Sequence, residues 1–334
     1  MRIAHDYVPL MDLKQLEVFL AVFSAGSITA AARLLDRSQP AVSRMIQDLE
    51  NDVGFPLLHR YGPRITPTDR GVRFHADAER LVTGIGRLRD RAHAIASEAA
   101  LPIEIVAIPA FAAGLVPLAL SRMTDDTLPA RIHLRSAPAE AGIQSILARA
   151  ADLCIASLPV EQPGLTTHTL ARAPCVAAVS LSDPLADKEV IAIGDLAERR
   201  LLTMANPFRL RGRIDRALIA QGVQAARVID ANSAFAALRL AALGKGVAII
   251  DPVTAYGMSL PDAVIRPLDI AIPFLWGVFS AVSHPLSETS RAFLQKLVET
   301  TEALIPGLIE YDSRHVDLTD VMADSQSGEW RAVT

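Results

Sequence analysis

Apolar residues recur with a helical period in the N-terminal part of the chain. The spacing i, i+3, i+4, i+7 is filled by Leu16, Phe19, Leu20 and Phe23, which a helix would place on one face. A Gly-Ser pair then precedes the alanine-rich stretch ITAAARLLD; the glycine predicts a helix end and the serine a new N-cap. We therefore expect two helices in close contact before residue 36.

A third helix is expected over the stretch DRSQPAVSRMIQDLE, and its polar face is unusual. One side of this helix carries Val42, Ile46 and Leu49. Ser38 is suited to cap it, and Pro40 is tolerated in its first turn because a first-turn N–H has no helical partner. The other side presents Gln, Pro, Ser and Arg, whereas a solvated helix usually presents Glu and Lys. This face therefore suits a binding partner better than water.

The spacing of the apolar residues along the chain changes twice after this helix. The stretch GFPLLHRYGPRITPTDRG alternates apolar and other residues around a Gly-Pro pair, which predicts a small β-hairpin. Residues 69–98 then predict one long helix with a narrow apolar seam. The seam consists of Phe74, Ala78, Leu81, Ile85, Leu88, Ala92 and Ile95. Packing against its own domain is one interpretation; the length of the seam favours a partner helix, with Leu81, Ile85 and Leu88 as dimerisation contacts.

From Pro102 onward, predicted strands and helices alternate for about 200 residues. Such alternation predicts α/β architecture with mostly parallel sheets covered by helices on both faces. We expect two lobes of similar construction, one built from residues 102–172 with 273–305 and the other from 173–272. Residues 306–334 are polar and lack a period, so a loose C-terminal tail is expected there.

The charge balance limits how the chain can function. The 334 residues carry a formal net charge of −4, and residues 11–68 hold six basic and six acidic side chains. Any binding to nucleic acid must then depend on local geometry, and one such domain alone should bind weakly. Two or four copies restore affinity through effective concentration. We therefore expect a homodimer or homotetramer and an inactive monomer.

Several classes of protein are disfavoured by composition. The two cysteines, Cys154 and Cys175, each lie in an apolar run and form neither a disulfide framework nor a metal-ligand cluster. The uncharged stretch 105–120 is shorter than a membrane span and is interrupted by Pro and Gly. The N-terminus has no signal-peptide pattern. We therefore expect a cytoplasmic protein with no membrane association, no metal and no cofactor.

The polar face of the third helix is chemically suited to the major groove of DNA. Arginine donates two hydrogen bonds to guanine, glutamine pairs with adenine, and serine serves a base or a phosphate. Proline offers an apolar contact to a thymine methyl group. Together with the preceding alanine-rich helix and short turn, this pattern predicts a helix-turn-helix.

These residues resemble a known family over about sixty positions. The winged helix-turn-helix of the LysR-type transcriptional regulators is similar to this chain at LKQLEVFLAV, GSITAAARLL, SQPAVSRMIQDLE, G.PLLHR and R.TPTDRG. The long helix and the α/β region follow in that family's order to about residue 305. The resemblance implies a DNA-binding domain over 11–68, a linker and dimerisation helix over 69–98, and a two-lobed effector domain over 102–305, built like a type II periplasmic binding protein. Because it begins at Met11, either Met1 or Met11 fits as the start.

The resemblance also implies roles for individual residues in DNA binding. The groove-reading positions are Gln39, Pro40, Ser43 and Arg44. Phosphate or helix-start contacts are implied for Thr29 and Ser38, for which plain helix capping is the alternative. Backbone or minor-groove contacts in the wing are implied for Arg60 and Arg64. Double-stranded promoter DNA and RNA polymerase are the implied macromolecular partners.

The α/β region is expected to bind a small effector in the cleft between its lobes, near strand ends and helix starts. The candidate residues are Pro109, Ala110, Phe111, Ser136, Asn206, Phe208 and Arg209. Many relatives carry Ser or Thr where this chain has Ala110, which leaves that contact to backbone N–H groups or another residue. Arg209 offers a cationic fork for a carboxylate, with a surface salt bridge as the alternative. A carboxylated effector is expected, with amino-acid-like compounds as candidates.

Two other functions remain open from sequence: a cytoplasmic enzyme, or a solute-binding protein built on the same α/β fold. No nucleophile elbow, zinc-protease motif, P-loop or dinucleotide fingerprint occurs in the chain. His168 and Asp251 are isolated, and strand polarity and a loop cap suit them better than catalysis. A transport protein would require a signal peptide. A non-enzymatic regulator is therefore the favoured interpretation.

Overall fold

The computed structural model describes residues 11–61, 64–97, 99–129, 131–160, 162–206 and 209–311, with the side chains of Arg60, Tyr61 and Arg64 not described. The chain divides into two compact units after Ala96. None of the described helices is long and apolar enough to cross a membrane.

The first unit consists of a three-helix cluster, a hairpin and a long helix. Its elements are α1 (Leu13–Ala25), α2 (Ile28–Leu34), α3 (Gln39–Val53), β1 (Leu58–Tyr61), β2 (Arg64–Pro67) and α4 (Asp69–Ala96). Both predicted caps are confirmed: Ser27 Oγ accepts from Ala30 N and Ser38 Oγ accepts from Ala41 N, each at 3.4 Å. The left-handed backbone of Gly26 (φ 62°) ends α1, as the sequence predicts.

The core of the first unit lies between the apolar faces of its helices. Phe19, Val42, Ile46 and Leu49 are fully buried there. Strand β1 pairs antiparallel with β2, which confirms the predicted hairpin. Helix α4 starts against the residues that lead into this hairpin, where a Cβ on Gly71 would lie 2.0 Å from the Leu57 carbonyl oxygen. Only glycine permits this approach.

The apolar seam of α4 divides into two parts. Its first members, Phe74 and Ala78, pack into the core of the first unit. The prediction of a partner contact along the whole seam is therefore wrong at this end, because the three-helix cluster needs apolar cover from α4. Farther along, Leu81, Leu88 and Ile95 are 49%, 67% and 68% exposed in the single chain. These three residues, each seven positions apart, are called the α4 stripe below.

The second unit alternates strands and helices. Its elements are β3 (Ile103–Ala107), α5 (Pro109–Ala113), α6 (Leu115–Ser121), β4 (Ile132–Ser136), α7 (Ala139–Leu147), β5 (Leu153–Ser157), β6 (Leu165–Pro174), β7 (Val176–Ser180), β8 (Arg200–Met204), α8 (Leu210–Ala220), β9 (Arg227–Ala231), α9 (Ala234–Ala242), β10 (Val247–Ile250), α10 (Pro252–Gly257), β11 (Ala263–Pro267), β12 (Pro273–Ala281), α11 (Glu288–Leu304) and β13 (Ile309–Tyr311).

These strands form two sheets, each at the centre of one lobe. The first lobe contains the order β13-β6-β12-β5-β3-β4, and the second lobe contains β11-β7-β10-β8-β9. In each sheet three neighbouring strands pair parallel, and these two groups are β4-β3-β5 and β9-β8-β10. The pairs made by β6, β7, β11, β12 and β13 are antiparallel, and they outnumber the parallel pairs of the two sheets. The expectation of mostly parallel sheets is therefore wrong. The antiparallel pairs are added by the strands on either side of the two places where the chain crosses between the lobes.

The chain crosses between the lobes twice. Cys175 lies on the first crossing, between β6 and β7, and Ile272 on the second, between β11 and β12. The Cys175 N–H donates to the Ile272 carbonyl oxygen at 2.8 Å, so the two crossings are bonded to each other. Burial raises the pKa of the Cys175 thiol well above its ordinary value. Burial raises the pKa of the Cys154 thiol to about 12 as well, and both cysteines are therefore core residues.

The structure corrects the expected C-terminal tail at its beginning. Residues Ile309–Tyr311 form β13, an edge strand antiparallel to β6. Alternating Ile309 and Tyr311 are half-buried, and the long strand β6 otherwise has a free edge there, which explains why so short a segment is ordered. Residues 312–334 lie outside the described residues.

Candidate functional site

The outer face of α3 presents the residues predicted to read DNA. Gln39, Pro40 and Arg44 are exposed and Ser43 is half-buried. Among the described residues, none forms a hydrogen bond or an ion pair with the side chains of Gln39, Ser43 or Arg44. Their polar groups therefore face outward for water or an external partner. These four residues are called the DNA-reading surface below.

The remaining predicted DNA contacts lie on neighbouring elements. Thr29 is exposed in the first turn of α2. Ser38 caps α3, which establishes its capping role, and it is exposed. The backbones of Arg60 and Arg64 lie on β1 and β2, where Arg60 pairs with Ile65 and Arg64 with Tyr61, and their side chains are outside the described part of the structure.

A cleft separates the two lobes of the second unit, at the carboxyl ends of the parallel strands, where open α/β sheets bind ligands. From the first lobe it is lined by Ile108, Pro109, Ala110, Pro138, Ala139, Glu140, Ser157, Leu158 and Phe274. From the second lobe it is lined by Met204, Asn206, Arg209, Leu210, Arg213, Asn232, Ala234 and Asp251.

The structure brings four of the seven predicted effector residues to this cleft: Pro109, Ala110, Asn206 and Arg209. Two predictions are wrong. Phe111 is fully buried and packs 5.7 Å from the Trp276 ring, because the first turn of α5 directs it into the core. Ser136 ends β4 at the edge of its sheet, is exposed and does not line the cleft. Phe208 lies outside the described residues.

Arg209 is already engaged by the first lobe. Its Nη2 forms an ion pair with the Glu140 carboxylate. Its Nη1 donates to the carbonyl oxygens of Ser157 at 2.7 Å and Pro159 at 3.2 Å. The hydrogen bond from Arg209 holds the pKa of the Glu140 carboxyl below its ordinary value. Arg209, the arginine predicted to bind a ligand carboxylate, is therefore already paired with a carboxylate of the protein itself.

A second arginine in the cleft was not singled out from sequence. Arg213 lies one turn farther along α8, and its Nη1 donates to the Pro273 carbonyl oxygen at 3.2 Å. Burial lowers the pKa of its guanidinium, although an arginine stays charged at neutral pH. Among the described residues, no acid forms an ion pair with Arg213. The only sequence signal for it was its i+4 spacing from Arg209.

A second acid, besides Glu140, lines the cleft. Asp251 caps α10, accepting from Thr254 N at 2.7 Å and from Thr254 Oγ1 at 2.9 Å, which confirms the predicted cap. It is 3% exposed, and burial raises the pKa of its carboxyl. The cleft therefore combines cationic and acidic groups with a largely apolar lining. Within the described residues, no group of His, Cys, Asp and Glu is arranged to hold a metal ion.

Two sequence families match this chain over consecutive segments. Residues 13–72 match the bacterial regulatory helix-turn-helix protein, lysR family, and residues 96–302 match the LysR substrate binding domain. The regulatory protein NocR of Agrobacterium fabrum is 28% identical over 88% of this chain and 98% of its own. The transcriptional activator protein LysR of Escherichia coli is 26% identical over 88% of this chain and 97% of its own.

Solved structures share the same architecture. CbnR, a LysR family transcriptional regulator, superposes with a TM-score of 0.73 at 23% identity, covering 86% of this chain and 99% of its own. It has also been solved at full length in complex with its target DNA, with the same TM-score. The second family match alone spans well over half of the chain. This protein is accordingly a member of the LysR family of DNA-binding transcriptional regulators.

Proposed function

We propose that this regulator responds to a small carboxylated, amino-acid-like effector bound in the cleft between its lobes, with Arg213 holding the carboxylate. The observation that carries the proposal is the environment of Arg213. Its guanidinium lines the cleft, is largely buried, and has no acidic partner among the described residues. A carboxylate supplies the missing charge and two oxygens that match the guanidinium fork.

The rest of the lining suits an amino-acid skeleton. Asp251 offers a buried carboxylate to an ammonium group, and Asn206 offers an amide at the cleft wall. Pro109 and Ala110 place backbone groups at the end of β3. The apolar side chains between them suit an aliphatic portion of the ligand. Ala110 has no hydroxyl to offer a ligand, which leaves the charge recognition to the arginines.

The name of one relative agrees with this ligand class. The octopine catabolism/uptake operon regulatory protein OccR of Rhizobium meliloti is 28% identical over 78% of this chain and 86% of its own. Octopine is an amino-acid derivative that carries carboxylates. This similarity supports an acidic, amino-acid-derived effector for the present chain and does not identify the compound.

On the DNA side, two groups of residues carry binding. The first group reads base edges in the major groove and consists of Gln39, Pro40, Ser43 and Arg44. The second group contacts the sugar-phosphate backbone or the minor groove and consists of Thr29, Ser38, Arg60 and Arg64. Sequence preference therefore depends on the first group, and general affinity on both.

Two or four copies of the chain act together. The α4 stripe presents exposed apolar side chains at heptad spacing, and with Ile85 it forms the surface for a partner helix. A neutral DNA-binding domain gains its affinity from this pairing. We place the assembly in the cytoplasm at promoter DNA, where RNA polymerase is its further partner.

Isothermal titration calorimetry of the full chain against a metabolite panel tests the effector class. The panel contains amino acids, their N-linked carboxylated conjugates, and matched amides in which each carboxylate is neutral. We expect binding by carboxylates that is lost in the amides and in Arg213→Gln. Binding by neutral compounds alone would overturn the proposal.

A further inference from the structure

The ion pair between Arg209 and Glu140 connects the two lobes across the cleft. Arg209 belongs to the second lobe, immediately before α8, and Glu140 lies in the first turn of α7 in the first lobe. The other guanidinium nitrogen donates to carbonyl oxygens of the first lobe as well, at Ser157 and Pro159. The whole guanidinium group therefore bonds to the opposite lobe.

This ion pair also forms a wall between two cavities. The cleft described above lies on one side of it, with Arg213 and Asp251 in its lining. A second cavity lies on the other side, lined by Ile143, Gln144, Pro159, Val160 and Gln162. Both cavities share Ala139, Glu140 and Arg209. The Glu140 side chain therefore lies at the boundary that the two cavities share.

The two members of the pair differ in how firmly they are held. The Arg209 side chain is 19% exposed and has two backbone carbonyl acceptors besides the acid. The Glu140 side chain is 69% exposed, and besides Arg209 its carboxylate accepts a hydrogen bond from its own backbone N–H. An ion pair with one largely exposed member is weak, so a second carboxylate competes with it at small cost. Glu140 is therefore the member of the pair that a ligand carboxylate can replace.

We propose that Glu140 is an internal competitor for the effector, which occupies the carboxylate position on Arg209 until a carboxylated ligand displaces it and joins the two cavities. This inference rests on the proposed carboxylated effector and adds a second arginine to its recognition. It assigns to the ligand a carboxylate at Arg209, on the boundary between the cavities, in addition to the one held by Arg213. Dicarboxylates are then favoured over monocarboxylates.

Succinate titration of the full chain by calorimetry, at fixed ionic strength and without DNA, tests this inference. The variants are wild type, Glu140→Gln and Glu140→Ala. The matched control is Glu288→Gln, which removes an exposed acid from the first turn of α11, outside both cavities. Succinamide serves as the neutral probe, and acetate as the monocarboxylate. Thermal unfolding of each variant verifies that it is folded.

The expected result is a Kd for succinate that is roughly 2- to 5-fold lower in both Glu140 variants than in wild type and Glu288→Gln. Acetate should bind more weakly than succinate in every variant, and succinamide should not bind. Equal succinate affinity in wild type and Glu140→Gln would overturn the displacement and leave the carboxylate effector standing. Absence of succinate and acetate binding in all variants would also overturn this inference, whereas the amino-acid panel decides the proposed effector class separately.

Discussion

The DNA-reading surface and the effector cleft are assembled in opposite ways. The four residues of the DNA-reading surface lie within six positions of one another on a single helix, and their side chains have no partner among the described residues. The cleft combines at least six separate segments from both lobes, and its charged groups already bond to one another or to backbone. One site is a face of one element, and the other exists only in the folded domain.

This difference determines how each site responds to change. Side chains on an exposed helix face contribute through their contacts with an external partner, so substitutions there should alter binding without affecting the fold. Residues of the cleft contribute both to the ligand and to the contact between the lobes. Substitutions there should change affinity and local stability together. The predictions below separate these two kinds of behaviour.

The largest effect is expected from the α4 stripe. Leu81→Asp with Leu88→Asp places two charges in the proposed helix pair, and the chain should become monomeric and lose about 100-fold or more in operator affinity. Analytical ultracentrifugation and fluorescence anisotropy measure the two quantities. Leu181→Asp, at a residue that is 60% exposed in the second unit, is the control. A double variant that remained dimeric with normal operator affinity would contradict pairing of two chains through the α4 stripe.

The DNA-reading surface should show the next largest effect. Ser43→Ala with Arg44→Ala should reduce the ratio of operator to scrambled-duplex affinity by about 10- to 100-fold, because base-edge contacts are lost while backbone contacts stay. Dimerisation and effector binding should be unchanged. Arg73→Ala removes an exposed positive charge from α4 and should weaken both duplexes slightly and equally. A ratio unaffected by the double variant would show that another element reads the bases.

The cleft is tested by two arginines on the same helix. Arg213→Gln should weaken binding of the carboxylated effector by at least about 10-fold, because a buried charge-assisted hydrogen bond is lost. Arg216→Gln is the matched control, since Arg216 is exposed on α8 and, among the residues that the structure describes, bonds only to the Gly212 carbonyl of its own helix. Calorimetry compares the two variants. Equal losses in both would indicate a general charge effect and not a specific site.

The smallest effect concerns the pH dependence of the pair between the lobes. The pKa of Glu140 is lowered from 4.5 in the folded protein, so its contribution to stability is present above that value and is lost as pH falls through the folded pKa. Glu140→Gln should lower the Tm by about 1–2 °C near pH 7, and the difference should shrink as the pH falls below 4.5 and through the folded pKa. A Tm difference that stayed constant over this range would contradict the assignment.

The sequence predicted the DNA-reading surface well because all of its information is local. A cap at Ser38, a first-turn Pro40 and the buried face of Val42, Ile46 and Leu49 follow from positions in one helix. The alternation of apolar strands likewise predicted the two-lobed α/β region. Strand direction was predicted less well, because antiparallel pairing depends on where the chain crosses between the lobes.

The cleft could be predicted only in part, for two physical reasons. The position of Arg209 before a helix predicts a ligand contact, but its partner Glu140 is 69 positions away and no local pattern connects them. Arg213 is equivalent to the neighbouring arginines in sequence, and the fold distinguishes them: Arg211 pairs with Asp215 and Asp230, whereas Arg213 pairs with no acid among the described residues. The prediction that Phe111 lines the cleft is wrong because the direction of a side chain in a short helix depends on packing.

The most direct test of sequence-specific DNA binding is fluorescence anisotropy of the full chain with two duplexes of equal length. One contains the DNA upstream of the neighbouring gene, and the other contains the same bases in scrambled order, at several salt concentrations. We predict tighter binding to the upstream duplex by roughly 1,000-fold or more, with affinity for both falling as salt rises. Equal affinity for the two duplexes at every salt concentration would contradict the account.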